Sequence, residues 1–399
     1  MFTNEKLEKY ADVLLWGIKT ARTEKYKPGD IMMIRFDRSA VHLAEILQGR
    51  LLDQGLNPIM RGGLTPLMEH HFYGKSNGKQ LAFIAPGERA LCENLNGTIS
   101  LLAPESLTHL SDIDPMKIGK AAVARKFLRD ILQKREDRGS FGWTLCMSPT
   151  EKLAKQAKLT MRQYTNQIVK ACYLDKPDPV KEWKNIHKKA MTIKKWINGL
   201  DIKYLHVESR NMDLMITPGE KRKWIGISGH NIPSFEIFLS PDWRGTRGVY
   251  YANQPSFRSG NYVEGVKLTF NRGSVTGVDA RKGGVFTEKQ ISMDPGARRV
   301  GEFSLTDRRF SRINRFMANT LFDENFGGPC GNCHLALGAS YSDTFDGDPK
   351  DLTRVKKKDL GFNDSALHWD LVNTEPKQVT AVLRSGKKIT IYEDGMFQL

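Results

Sequence analysis

The feature that most constrains this chain is a change of texture near Leu200. Before it, short apolar runs alternate with stretches that repeat an apolar residue every three or four positions. Residues 5–23 carry helical spacing, Ile31–Phe36 (IMMIRF) reads as a strand, and 40–52 returns to helical spacing. Residues 57–60, 81–85, 98–103 and 142–147 are further strand candidates. Helices are expected over 117–137, from 150 to about 173, and over 180–199. Strands alternating with helices imply βαβ units and a mostly parallel sheet. After Leu200 the runs shorten to 204–208, 213–217 and 224–228, and residues 262–270 and 274–279 flank Asn271-Arg272-Gly273 as a hairpin. A helix is expected over 314–322, and the last 20 residues read as a closing hairpin. The expected fold is an N-terminal α/β domain over 1–200 and a strand-rich α+β domain over 201–399. A length of 399 residues suits two domains at roughly 100–200 residues each.

A net charge of +16 first suggests nucleic acid. The charge is unevenly placed, however. Residues 151–200 hold 12 Lys/Arg against four Asp/Glu, a local +8, whereas residues 201–399 carry only +4. In the 180–199 helix, Trp183, Ile186, Ala190, Ile193 and Trp196 recur at core spacing and lysines fill the remaining positions, the pattern of a solvated outer face. No zinc-finger or RRM signature accompanies the charge, so specific nucleic-acid binding is not expected. No apolar run reaches the ~18 residues of a membrane span. The first residues lack a secretory pattern, which points to the cytoplasm. Five cysteines make no disulfide scaffold in a chain this long.

Among nine histidines, two have informative surroundings. His368 and Asp370 are two apart in SALHWD, so on a strand they share a face. That pair suits a divalent metal or a hydrogen-bonded core pair. His334 closes Cys330-Gly331-Asn332-Cys333-His334. This CxxCH matches c-type haem attachment, but such attachment normally occurs outside the cytoplasm. A zinc site lacks a second cysteine pair, and a redox CxxC usually opens a helix after a strand. His70-His71 point different ways on a helix. Glu236 and Glu302 stand among apolar residues, where an ionised carboxylate needs a cation. A salt bridge from Arg298 or Arg299 would serve Glu302, and a metal would serve either glutamate.

Four motifs then combine: IPSFEIFLSPD at 232–242, DPGARRVGE at 294–302, CHLALGASY at 333–341 and SALHWDLV at 365–372. In their order and separations they resemble the thermophilic metalloprotease family of aminopeptidases T and S. The resemblance runs over nearly the whole chain, including GWTLCMSPT at 142–150. It implies that Glu236, Glu302, His334, His368 and Asp370 are metal ligands, with Tyr341 beside the metals. It implies a C-terminal catalytic domain, two divalent ions (zinc or cobalt first, manganese or magnesium next), a homodimer, and peptides with a free N-terminus as substrates. Two departures stand out. Phe235 occupies a position where a small residue is commoner, and Gly327-Gly328-Pro329-Cys330-Gly331 is an unusual approach to His334.

On this reading the metals activate a bridging water and polarise the scissile carbonyl. Tyr341 donates to the oxyanion, and Glu302 accepts the water proton and passes it to the leaving amine. Either Asp370 or Glu302 bridges the metals. The rival expectations are a family member without catalysis, which the intact ligand set disfavours, and the nucleic-acid binder above.

Overall fold

The computed structural model describes residues 2–399. Its first sheet is parallel, with spatial order Asn57–Gly62, Ile31–Phe36, Gly97–Leu102, Gly142–Met147 and Asn231–Ile232. Met32, Met33 and Ile34 are all buried in succession, as expected for a parallel strand covered on both faces. The helix Asn4–Thr20 begins where the Thr3 hydroxyl caps Lys6 N–H, and it buries Tyr10, Val13, Leu14 and Ile18.

The second sheet is antiparallel and nine-stranded. The expected hairpin is present within it. Asn271 pairs with Ser274, and Arg272 and Gly273 both take positive φ, the conformation that a two-residue turn matching strand twist requires. The closing hairpin pairs Lys377–Leu383 with Lys388–Glu393. The third sheet has four antiparallel strands in the order His368–Asn373, Asn332–Gly338, Val300–Thr306 and Glu236–Leu239. Tyr10, Leu205 and Phe303 belong to one contiguous core, so apolar packing runs across residue 200.

Several local expectations are corrected. Residues 81–85 are not a strand; Gly78–Ala82 is helical because Asn77 and Gln80 form a reciprocal capping box. The helix expected from 150 to 173 is two helices, Glu151–Gln156 and Met161–Ala171. Lys158 turns left-handed between them, and Thr160 caps the second. Residues 224–228 form no strand, since Gly226 and Ile227 take positive φ. A Cβ on Gly226 would lie 2.0 Å from the Glu236 carbonyl oxygen, so only glycine permits this approach. The helix expected over 314–322 shrinks to Thr320–Asp323, because the Asp323 carboxylate takes the Met317 and Asn319 N–H groups itself. The helix Gly284–Gln290 was not anticipated.

The basic helix Pro179–Asn198 buries Trp183, Ile186, Ala190 and Ile193 and exposes most of its lysines. Trp183 stacks on Phe235 with ring centroids 5.3 Å apart and planes at 16°. Both rings are fully buried. Phe235 therefore fills space that this helix supplies, and the pair backs the strand that starts at Glu236. Removing a buried tryptophan from such a stack leaves an unfilled cavity. Trp183→Ala is expected to cost about 3–5 kcal/mol, read as a lowered urea midpoint.

Candidate metal centre

Directly opposed residues on antiparallel strands point to the same face of a sheet. In the four-stranded sheet, Thr306 opposes Glu236, Ser304 opposes His334, Ala336 faces both Glu302 and Asp370, and Gly338 opposes His368. Alternation then puts Glu236, Glu302, His334, His368 and Asp370 on one face. Cys333, Leu335 and Leu337 go to the other face and are fully buried. Ser304 and Ala336 lie among the five on the shared face, and their small side chains leave room there.

The distances follow from this register. His334 Nε2 lies 3.1 Å from Glu302 Oε1, 3.3 Å from Glu236 Oε2 and 3.8 Å from Asp370 Oδ1. His368 Nε2 lies 3.3 Å from Asp370 Oδ1 and 3.6 Å from Glu302 Oε2. The other ring nitrogen of His368 sits 3.0 Å from the Ala339 carbonyl, which fixes it as the protonated one and leaves Nε2 free to ligate. Two groups offer ligand atoms within 4.8 Å of one another: Glu236, Glu302 and His334, and Glu302, His368 and Asp370. Glu302 belongs to both. Tyr341 lines the same pocket, with its ring 4.8 Å from that of His368. All six residues singled out in the sequence are thus brought together.

Other sequence candidates go elsewhere. Arg298 pairs with Glu288, and Arg299 lies over the Trp243 ring, so neither arginine serves Glu302. His70 pairs with Asp112 at the surface. All five cysteines are free. Three of the carboxylates that line the pocket, Glu136, Glu324 and Asp343, escaped the sequence reading. Glu324 is buried and lines the pocket, where Asn231 donates to its Oε1 at 3.3 Å. Its signal was the acidic pair Asp323-Glu324 directly after Leu321-Phe322, an apolar setting like those of Glu236 and Glu302.

Electrostatics explain what such a site demands. Burial pushes Glu236 up to about 7 and Glu302 up to about 8, and neighbouring carboxylates add to both shifts. Glu324 is raised well above the carboxylate range, again mainly by burial. Burial opposes ionisation of Asp370 too, but His368, His334 and Arg258 outweigh it and hold this group low. Tyr341 is raised by burial and by surrounding acids, so it keeps its proton and remains a donor. Oxygen and imidazole donors crowded into a dry, acid-rich pocket fit a divalent cation.

Without cations these shifts oppose ionisation of the folded state. Between the ordinary glutamate value of 4.5 and the raised values of about 7 and 8, the folded chain holds protons that the unfolded chain releases. Stability from these groups is then full below 4.5 and lost as pH rises through about 8. Chelator-treated protein is expected to show a falling melting temperature across that window. The Glu236→Gln, Glu302→Gln double variant should flatten the slope.

Comparisons with known proteins give the family and the fold. A family model described as thermophilic metalloprotease matches residues 3–397. Aminopeptidase 2 of Geobacillus stearothermophilus is 25% identical over 417 residues, covering 98% of this chain and 97% of that protein. Aminopeptidase PepS of Streptococcus thermophilus and aminopeptidase AmpS of Bacillus subtilis are each 28% identical, over 58% and 64% of this chain. The matched segments span 57% and 63% of those two relatives. Wild-type AmpT from Thermus thermophilus superimposes with a TM-score of 0.76 over 99% of both chains at 20% identity, which establishes the fold. With the family model spanning nearly every residue, the chain belongs to the thermophilic metalloprotease family.

Proposed function

We propose that this protein is a metal-dependent aminopeptidase that hydrolyses the first peptide bond of peptides at a centre of two divalent ions. The observation that carries this reading is the position of Glu302. Its Oε1 faces His334 and its Oε2 faces His368, so one carboxylate serves two groups of ligands. Glu236 and His334 complete one group, and His368 and Asp370 the other. Glu302 rather than Asp370 would therefore be the carboxylate shared between the two ions. Glu236, Glu302 and Asp370 would offset most of the charge of two divalent ions, and Glu324 adds a further acidic group beside them.

Bound zinc, cobalt, manganese or magnesium would supply Lewis acidity and a water acidic enough to be a nucleophile near pH 7. The chain's own groups do the rest. Tyr341, held in its protonated form, donates its O–H to the carbonyl oxygen as negative charge develops there. Glu302 takes the proton of the attacking water and returns it to the leaving amine. Its ligand and proton roles use the same oxygens, so its loss should affect metal content and turnover together.

The reading extends to a homodimer and to a cytoplasmic setting. Five unpaired cysteines suit a reducing compartment, and no helix among the described residues is long and apolar enough to cross a membrane. The oligomer is checked by light scattering, with twice the chain mass expected.

The central test uses aminoacyl-p-nitroanilides and metal analysis. Two equivalents of metal per chain and chelator-sensitive hydrolysis are expected. Glu302→Gln should lower kcat by about 10²–10⁴-fold and reduce bound metal. Full turnover after complete metal removal would sink the reading.

A further inference from the structure

Part of the pocket lies outside the ligand set and has its own chemistry. Gln133, Glu136, Trp143, Ser228, His230 and Asp343 line it, and they come from segments that the four-stranded sheet does not include. We propose that this wall is the subsite for the first side chain of the substrate, that it selects a basic residue (lysine or arginine), and that Asp343 is its charge-reading group. The proposal rests on the aminopeptidase reading above.

His230 Nε2 lies 2.9 Å from Glu136 Oε1, and His230 Nδ1 lies 2.7 Å from the Ser228 hydroxyl. Both ring nitrogens are therefore occupied. The His230 ring also rests on Trp143, with centroids 4.5 Å apart. Burial works against a charged imidazole here, but the hydrogen bond to Glu136 overrides it and His230 is raised. Glu136 and His230 thus already serve as each other's partner.

Asp343 is left over. Its Oδ1 is closed to solvent and has no hydrogen-bond partner. Burial pushes its carboxyl up to about 6, against the pull of His230 and helped by Glu136 and Asp137. A shielded carboxylate oxygen without a donor costs free energy until a cation reaches it. Asp343 follows Tyr341 by two residues, in the short turn Ser342–Thr344, and its charge is also felt at Glu302. It therefore stands between the ligand cluster and the His230 wall.

The remaining lining fits the same occupant. No aliphatic side chain borders the pocket; Trp143, Phe238 and Tyr341 are its apolar members. An aliphatic first residue would find polar walls. A lysine ammonium or arginine guanidinium would find the Asp343 carboxylate.

The test compares Lys-p-nitroanilide with norleucine-p-nitroanilide, which carries the same carbon stem without the charge. The metal-loaded full-length protein should prefer lysine. Asp343→Asn should lower the Lys-to-norleucine ratio of kcat/KM by about 10- to 100-fold, mainly through KM, with metal content retained and with partial recovery in Asp343→Glu. An unchanged ratio overturns the proposal. So does an equal loss on both substrates, which would make Asp343 an anchor for the α-amine. Calorimetric binding of lysinamide and norleucinamide separates this idea from the catalytic reading. If neither anilide is cleaved, tighter lysinamide binding that Asp343→Asn abolishes still supports the subsite. Equal binding refutes it.

Discussion

Three carboxylates, Glu236, Glu302 and Asp370, share one face of a sheet in a pocket that no lysine or arginine lines. Like charges at this proximity resist ionisation together, and desolvation raises the cost for each. The protein confines that unfavourable arrangement to a sheet, the part of a fold in which side-chain position is most tightly set by backbone hydrogen bonding. Ser304 and Ala336 keep the centre of the face open, while the reverse face is packed with Cys333, Leu335 and Leu337. The stack of Trp183 on Phe235 and the close approach of Gly226 to the Glu236 carbonyl support the outermost strand from behind. Lys194 adds to that support, donating from the basic helix to the Gly226 carbonyl at 2.9 Å.

Much of this was legible in the sequence because strand periodicity is a local property. Cys333-His334-Leu335-Ala336-Leu337 alternates core and pocket residues, and His368 and Asp370 flank a buried Trp369 in the same way. Glu236 and Glu302 were conspicuous as charges in apolar company. Glu324 stands in similar apolar company, but its place at the site was not legible, because it lies in a loop whose path depends on distant partners. Asn325 accepts the Phe235 N–H at 2.5 Å, and Asn231 reaches Glu324 across the pocket. The wall built from Glu136, His230 and Asp343 was hidden for the same reason, since its members lie far apart in sequence. At the secondary-structure level, residues 81–85 misled because side-chain capping at Asn77 outweighed an apolar pattern too short to specify a strand.

The overall charge turned out to describe the exterior. The lysines of Pro179–Asn198 mostly face water, and the helix contributes to the site through Trp183 and Lys194 rather than through its net charge. The pocket has the opposite sign. A chain of +16 thus encloses an acidic interior, and bulk composition and local chemistry point to different partners.

The ladder register constrains folding as well as chemistry. The five proposed ligands come from four strands that neighbour one another in chain order but are separated by long connections. A slip of one residue in any of these strands would exchange pocket and core faces, sending a ligand inward and a leucine or cysteine toward the cation. Only a correctly paired sheet can therefore hold the ion, and binding favours that pairing over its near neighbours. The cation would act as a proofreader of strand alignment as well as a reagent.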